Sequence, residues 1–144
     1  MTHIPYVFNQ TGLTLPVSQR FQKYIRTLAE QNKVSEMTSA IVLNFRDPDY
    51  NVSSGGFHPV EMRFIRQQDQ WLFDYVTDFS YIGQVYPELE KDIDFSWSGG
   101  YVYHHLAGDI EKSEQGALWK LWESNFMEYL TMGVYQVTVT EEGK

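Results

Sequence analysis

The sequence predicts an α+β fold. A curved, mainly antiparallel sheet of about five to seven strands is expected, with an N-terminal helix and a long C-terminal helix packed on it, and the chain ending in a strand. Three observations carry this. Residues Gly56 to Gly83 form two runs of period-two alternation around the polar tetrapeptide Gln67-Gln68-Asp69-Gln70, the pattern of a hairpin with one buried face. Two other stretches have helical periodicity, and the clear connections between strands are short, which antiparallel pairing allows.

In chain order, residues 1 to 16 mix short apolar pieces with the turn signal Asn9-Gln10-Thr11-Gly12 and are read as an edge strand or packed arm. From Ser18, a candidate N-cap, Phe21, Tyr24, Ile25 and Leu28 fall at i, i+3, i+4 and i+7, so an amphipathic helix is expected to about Asn32. Thr38 to Arg46 is a strand, apolar on both faces and hence central or covered. It stops at Asp47-Pro48-Asp49, where proline cannot continue a ladder.

With Gln68 and Asp69 as turn centre, the hairpin register sets Phe64 against Phe73, Met62 against Tyr75 and Val60 against Thr77 on one face. On the other face it sets Arg63 against Asp74 and Ile65 against Leu72. Tyr86 to Lys91 reads as a turn or single helical turn, and Asp92 to Ser98 as a strand. If Gly99-Gly100 is a two-residue turn, that strand pairs with Tyr101 to Ala107, placing Phe95 opposite His104 and Asp94 opposite His105. A long helix follows from Ser113, taken as its cap, to Met132, with Gly133 as its stop. Val134 to Thr140 is the last strand. Neither repeat nor linker interrupts this order, so residues 1–144 are expected to form a single domain.

The formal charge of −8 disfavours nonspecific attachment to nucleic acid or an anionic membrane, so any charged partner should be basic. Without cysteine there is no disulfide, thiolate nucleophile or Cys-ligated metal site. The N-terminus lacks the pattern of a secretory signal and no apolar run is long enough to cross a bilayer, which suggests a cytoplasmic protein.

Residues able to carry chemistry are few. Asp94 with His105 is a possible carboxylate-oriented base, and with Asp92 and His104 a conceivable metal site. Consecutive strand histidines point to opposite faces, however, so a cross-strand charge pair is the plainer reading. Asp74 and Asp78 share a face in regular alternation but lie too far apart for a catalytic dyad. No catalytic residue, metal or cofactor is expected. Asp78, His58 and His104 are candidates for the mouth of a pocket between sheet and helices. Trp119, Trp122, Phe126 and Tyr129 crowd one helix and are candidates either for core or for an interface.

Three blocks carry a family resemblance: Gly56-Phe57-His58-Pro59-Val60-Glu61, Asp78-Phe79-Ser80-Tyr81 with Gly83, and Tyr86 to Phe95. In them the chain resembles the bacterial domain-of-unknown-function 2787 family, whose members are associated with mobile elements and pathogenicity islands. The resemblance implies a fold comparable to the acidic mitochondrial matrix protein that binds complement, a sheet flanked by helices that assembles into a ring. It assigns no catalytic residue. The leading expectation is a non-catalytic, acidic interaction module, meeting itself as a homo-oligomer or a basic protein surface through the aromatic helix or an open sheet edge. The alternative is a small ligand-binding protein or enzyme with a cavity between curved sheet and helices.

Overall fold

The structure, a computed structural model, describes residues 12–53, 55–68, 70–82 and 88–143. Its elements run α1 (Gln19–Gln31), β1 (Ala40–Arg46), β2 (Val60–Gln67), β3 (Gln70–Ile82), β4 (Glu88–Ser96), β5 (Tyr101–His104), β6 (Gly108–Asp109), α2 (Lys112–Met132) and β7 (Gln136–Glu142). The strands form one seven-stranded antiparallel sheet, in the order β6-β5-β4-β3-β2-β1-β7. The expected architecture is therefore observed. The expected N-terminal arm up to residue 11, the hairpin residue Asp69 and the Tyr86-Pro87 turn lie outside the described residues. Among the described residues, no helix is long and apolar enough to cross a membrane.

Local chemistry explains the boundaries. The Ser18 hydroxyl accepts a hydrogen bond from the Phe21 amide at 3.1 Å, satisfying one of the donors a helix start leaves open. α2 begins one residue before Ser113, capped by the backbone of Glu111 without a side-chain bond. It ends at Gly133, whose φ of 73° is the left-handed stop that glycine adopts without strain. β1 lies between β2 and β7, away from both edges of the sheet, as its apolar residues lead one to expect. β4 already begins at Glu88, so Glu88 to Lys91 is strand rather than a helical turn. The β4–β5 connection takes four residues, Trp97 to Gly100, so the register differs from the two-residue expectation. Phe95 faces Val102, Ile93 faces His104, and Asp94 faces Tyr103 rather than His105.

Both helices pack on the same face of the sheet. Phe21 of α1 meets Trp119 of α2 at 5.5 Å and Phe73 of β3 at 6.2 Å. Trp119 meets Phe95 edge-on at 4.9 Å, and Phe126 meets Phe45 edge-on at 5.0 Å. Trp119, Trp122 and Phe126 are buried in the chain's own core, and Tyr129 packs on Phe57 at 4.7 Å. Of the two alternatives for these rings, Trp119, Trp122 and Phe126 take the core one, while Tyr129 is half-buried. α1 lies beside α2 on the sheet and covers the side that a sheet alone would leave open.

The opposite face is polar. Arg63 bonds Asp74 at 2.7 Å and Glu142 at 2.9 Å, and the Tyr75 hydroxyl donates to Glu61. Asp94 is buried there, accepting from Thr77 at 2.7 Å and Tyr101 at 2.9 Å, far from the role of orienting His105.

Candidate functional site

Two β-bulges build the site. Near the hairpin turn Phe64 pairs with Phe73 as expected, but Arg63 pairs with Tyr75, so Asp74 is an extra residue on β3. Its carbonyl is not wasted, since it accepts from the amides of Trp97 and Ser98 at 2.9 and 3.2 Å. The insertion reverses the alternation of β3. Trp71 and Phe73 face the core before it, Val76 and Ser80 after it. The pairs Met62–Tyr75 and Val60–Thr77 are thereby replaced by Met62–Val76 and Val60–Asp78. Asp74 stays with Arg63 on the polar face while Asp78 turns toward α2, so the two carboxylates do not share a face.

A second bulge follows. Asp78 pairs with Ile93, but Phe79 pairs with Lys91, which leaves Asp92 as the extra residue on β4 beside Asp78. Bulges re-aim side chains, and here each delivers one carboxylate to the same place.

His58 comes from the loop between β1 and β2. Asp47 anchors that loop, its carboxylate oxygens accepting from the amides of Asp49 and Phe57 at 2.9 and 3.0 Å. Gly56, at φ 130°, sits so close that a Cβ there would stand 2.9 Å from the Asp47 carboxylate and 3.0 Å from the Tyr50 backbone. The Tyr50 ring meets His58 edge-on at 5.6 Å and stacks on Tyr81 at 5.2 Å.

The groups converge on one nitrogen. His58 Nδ1 lies 2.8 Å from Asp78 Oδ1 and 3.5 Å from Asp92 Oδ2. The outer oxygen of Asp78 accepts from Trp122 Nε1 at 3.0 Å, and the outer oxygen of Asp92 pairs with His105 Nδ1. The hydrogen bond to Asp78 outweighs partial burial and raises the His58 pKa above its ordinary 6.5. Burial, reinforced by the Asp78 charge, also raises the nearby Tyr135 phenol, so it stays neutral. Its hydroxyl donates to the His58 carbonyl at 3.3 Å.

Behind this polar group lies a cleft of about 340 Å³ between the sheet and the C-terminal half of α2. Its apolar walls are Phe57, Val60, Ile93, Trp122, Phe126 and Tyr129, and Asn125 stands on its helical side. Of the pocket candidates, His58 and Asp78 are brought together at its mouth. His104 does not line it. Its Nδ1 accepts from the Leu106 amide at 3.1 Å, and its ring stacks on His105 at 5.1 Å. Because β5 ends at His104, His105 escapes strand alternation and reaches Asp92. Sequence reasoning missed Asp92 and Trp122 as members of this site. The one available signal was the carboxylate pair Asp92 and Asp94 in a strand whose register depended on an unseen bulge.

A family model described as "Protein of unknown function (DUF2787)" matches residues 19–140. Comparison with curated proteins gives no match. Two solved structures from Vibrio cholerae are similar across nearly the whole chain. The hypothetical protein VC0508 of the VSP-II pathogenicity island superposes with a TM-score of 0.84 at 33% identity, over 96% of this chain and 100% of that one. The conserved hypothetical protein VC1805 of pathogenicity island VPI-2, described as sharing structural homology with the human P32 protein, gives 0.79 at 32% identity, over 93% and 100%.

Proposed function

The chain belongs to the DUF2787 family, and from that footing we propose that it is a small-molecule-binding protein whose ligand lies in the cleft between sheet and α2. One observation carries the reading: an aromatic-walled cavity of about 340 Å³ ends at a convergent polar group, His58, Asp78 and Asp92. Apolar walls with a few placed polar groups are the usual composition of a ligand pocket. The walls suit a flat apolar or aromatic body, and the mouth suits one polar end. Core aromatic pairs such as Trp122 on Phe126, stacked at 5.0 Å, hold the walls in place before any ligand arrives.

Indole is a suitable probe, being flat, neutral and able to donate one hydrogen bond. Added to chelator-treated protein, it should shift the Trp122 side-chain N–H resonance saturably. Tyr129→Ala, which removes one wall, should weaken it about fivefold to tenfold, in keeping with one lost aromatic contact. Resonances of the cleft that stay fixed at millimolar indole would overturn the reading.

A second reading, self-association, is favoured by a separate observation. β7 is an edge strand of seven residues, with Gln136, Val137, Thr138 and Thr140 exposed and β1 as its only strand neighbour among the described residues. An open edge of that kind is a template for pairing with a second copy. Light scattering should then give a mass that falls toward that of one 16.9 kDa chain when Val137→Pro removes an edge donor, since Thr138 faces β1 as the ladder partner of Asn44 and Val137 faces outward. A monomer at micromolar concentration before mutation would end this reading.

A further inference from the structure

We propose that His58, Asp78 and Asp92 bind a divalent first-row transition ion such as Zn²⁺, an inference that rests on the pocket reading in sharing its mouth. Two carboxylate oxygens converge on one imidazole nitrogen, at 2.8 and 3.5 Å. A single N–H can be aimed at only one of them, and here it is aimed at Asp78, so one hydrogen bond does not account for both carboxylates gathering at this nitrogen. As a set of ligands the same three atoms are complementary. Donors held at about 2.0–2.2 Å by one ion lie about 3.0–3.5 Å apart, close to the observed separations.

The outer oxygen of Asp78 is already engaged. Trp122 Nε1 holds Asp78 Oδ2 by a hydrogen bond, which is how ligating carboxylates are commonly fixed in orientation, and His105 Nδ1 lies against Asp92 Oδ1. One imidazole and two carboxylates favour a borderline ion such as Zn²⁺ over a soft one, and over Ca²⁺, which prefers an all-oxygen shell. Three protein ligands leave a further coordination position. All three residues line the cleft, so a cleft ligand bearing a carboxylate or another Lewis-basic end would be within reach of the ion to complete the shell.

Asp92, His104 and His105 form a neighbouring set whose donor atoms also lie within 4.8 Å of one another. It is the weaker candidate. His104 Nδ1 already accepts from the Leu106 amide, and neither His104 nor His105 lines the cleft.

Calorimetry on the chelator-treated full chain tests the proposal, with ZnCl₂ and MgCl₂ as probes. One Zn²⁺ per chain is expected, with Mg²⁺ at least about a hundredfold weaker. His58→Gln and Asp92→Asn should each weaken Zn²⁺ by about tenfold or more, and His104→Gln by less than about twofold. Should a variant fail to fold, imidazole nitrogen resonances of the unmodified chain decide instead, Zn²⁺ being expected to move His58 Nδ1 and leave His104 in place. No Zn²⁺ heat, or an equal effect of His104→Gln, would overturn the proposal. If Zn²⁺ fails while indole still binds, only the metal is lost; if both fail, the pocket reading falls as well.

Discussion

Trp119→Ala is expected to destabilise the chain by about 3–5 kcal/mol, the range for a large aromatic removed from a packed core. Trp119 is fully buried and packs edge-on against Phe21 at 5.5 Å, Phe95 at 4.9 Å and Trp97 at 5.6 Å, tying both helices to the sheet. Its indole N–H also donates to Glu123 Oε2 at 2.8 Å, the oxygen that accepts from the Ser18 amide at 3.0 Å. The substitution therefore opens a cavity and takes one donor from a buried carboxylate at the start of α1. Leu121→Ala, two residues away on the exposed side of α2, should change stability by less than about 0.5 kcal/mol. Urea unfolding with an unchanged slope measures both. A Trp119→Ala midpoint close to the unmodified one would contradict the burial of this face and restore it as a surface for partners.

The second large effect concerns Asp78. In Asp78→Ala the Trp122 indole N–H loses its acceptor in a partly buried place, at a cost of about 1–3 kcal/mol. Asp78→Asn keeps an acceptor for that N–H and should lose less. Both remove the ion pair with His58, and the sign of its pH dependence follows from the raised pKa. A histidine whose folded pKa lies above its unfolded 6.5 contributes stability fully below that value and loses it as pH rises through the folded one. The gap in stability between the unmodified chain and Asp78→Ala should therefore be widest near about pH 5.5 and narrow toward about pH 8.5, on metal-free protein. His58 ring resonances should titrate lower in both variants. Identical titration with and without Asp78 would show that the contact does not form in solution.

Asp78 also shows how far the site was legible in the sequence. It and His58 were both candidates for the mouth of a pocket. The sequence did not bring the two together. In the unbulged register Asp78 follows Asp74 onto one face, whereas the structure sends it to the other, toward Trp122. Asp92 is a second instance. Read as a regular strand, the chain joins His105 to Asp94; the bulge and the four-residue β4–β5 connection give His105 to Asp92 and leave Asp94 buried with Thr77 and Tyr101.

What the sequence determined by itself is local. The spacing of Phe21, Tyr24, Ile25 and Leu28 after the Ser18 cap specifies α1, the alternation on both sides of Gln67 to Gln70 specifies the hairpin, and Gly133 stops α2. Each depends on the period of a single element, and α2 and the strands together imply the α+β class. The tertiary structure decided two things that no single period contains. One is which rings of α2 are covered, because Trp119 and Phe126 are sealed only once α1 packs beside them on the sheet. The other is the pair of bulges, since an extra residue in a strand is stabilised by partners far along the chain. Asp74 is held by Arg63 and by the amides of Trp97 and Ser98, and Asp92 by His105. Those distant contacts reverse the phase of β3 and place Asp78 and Asp92 beside His58.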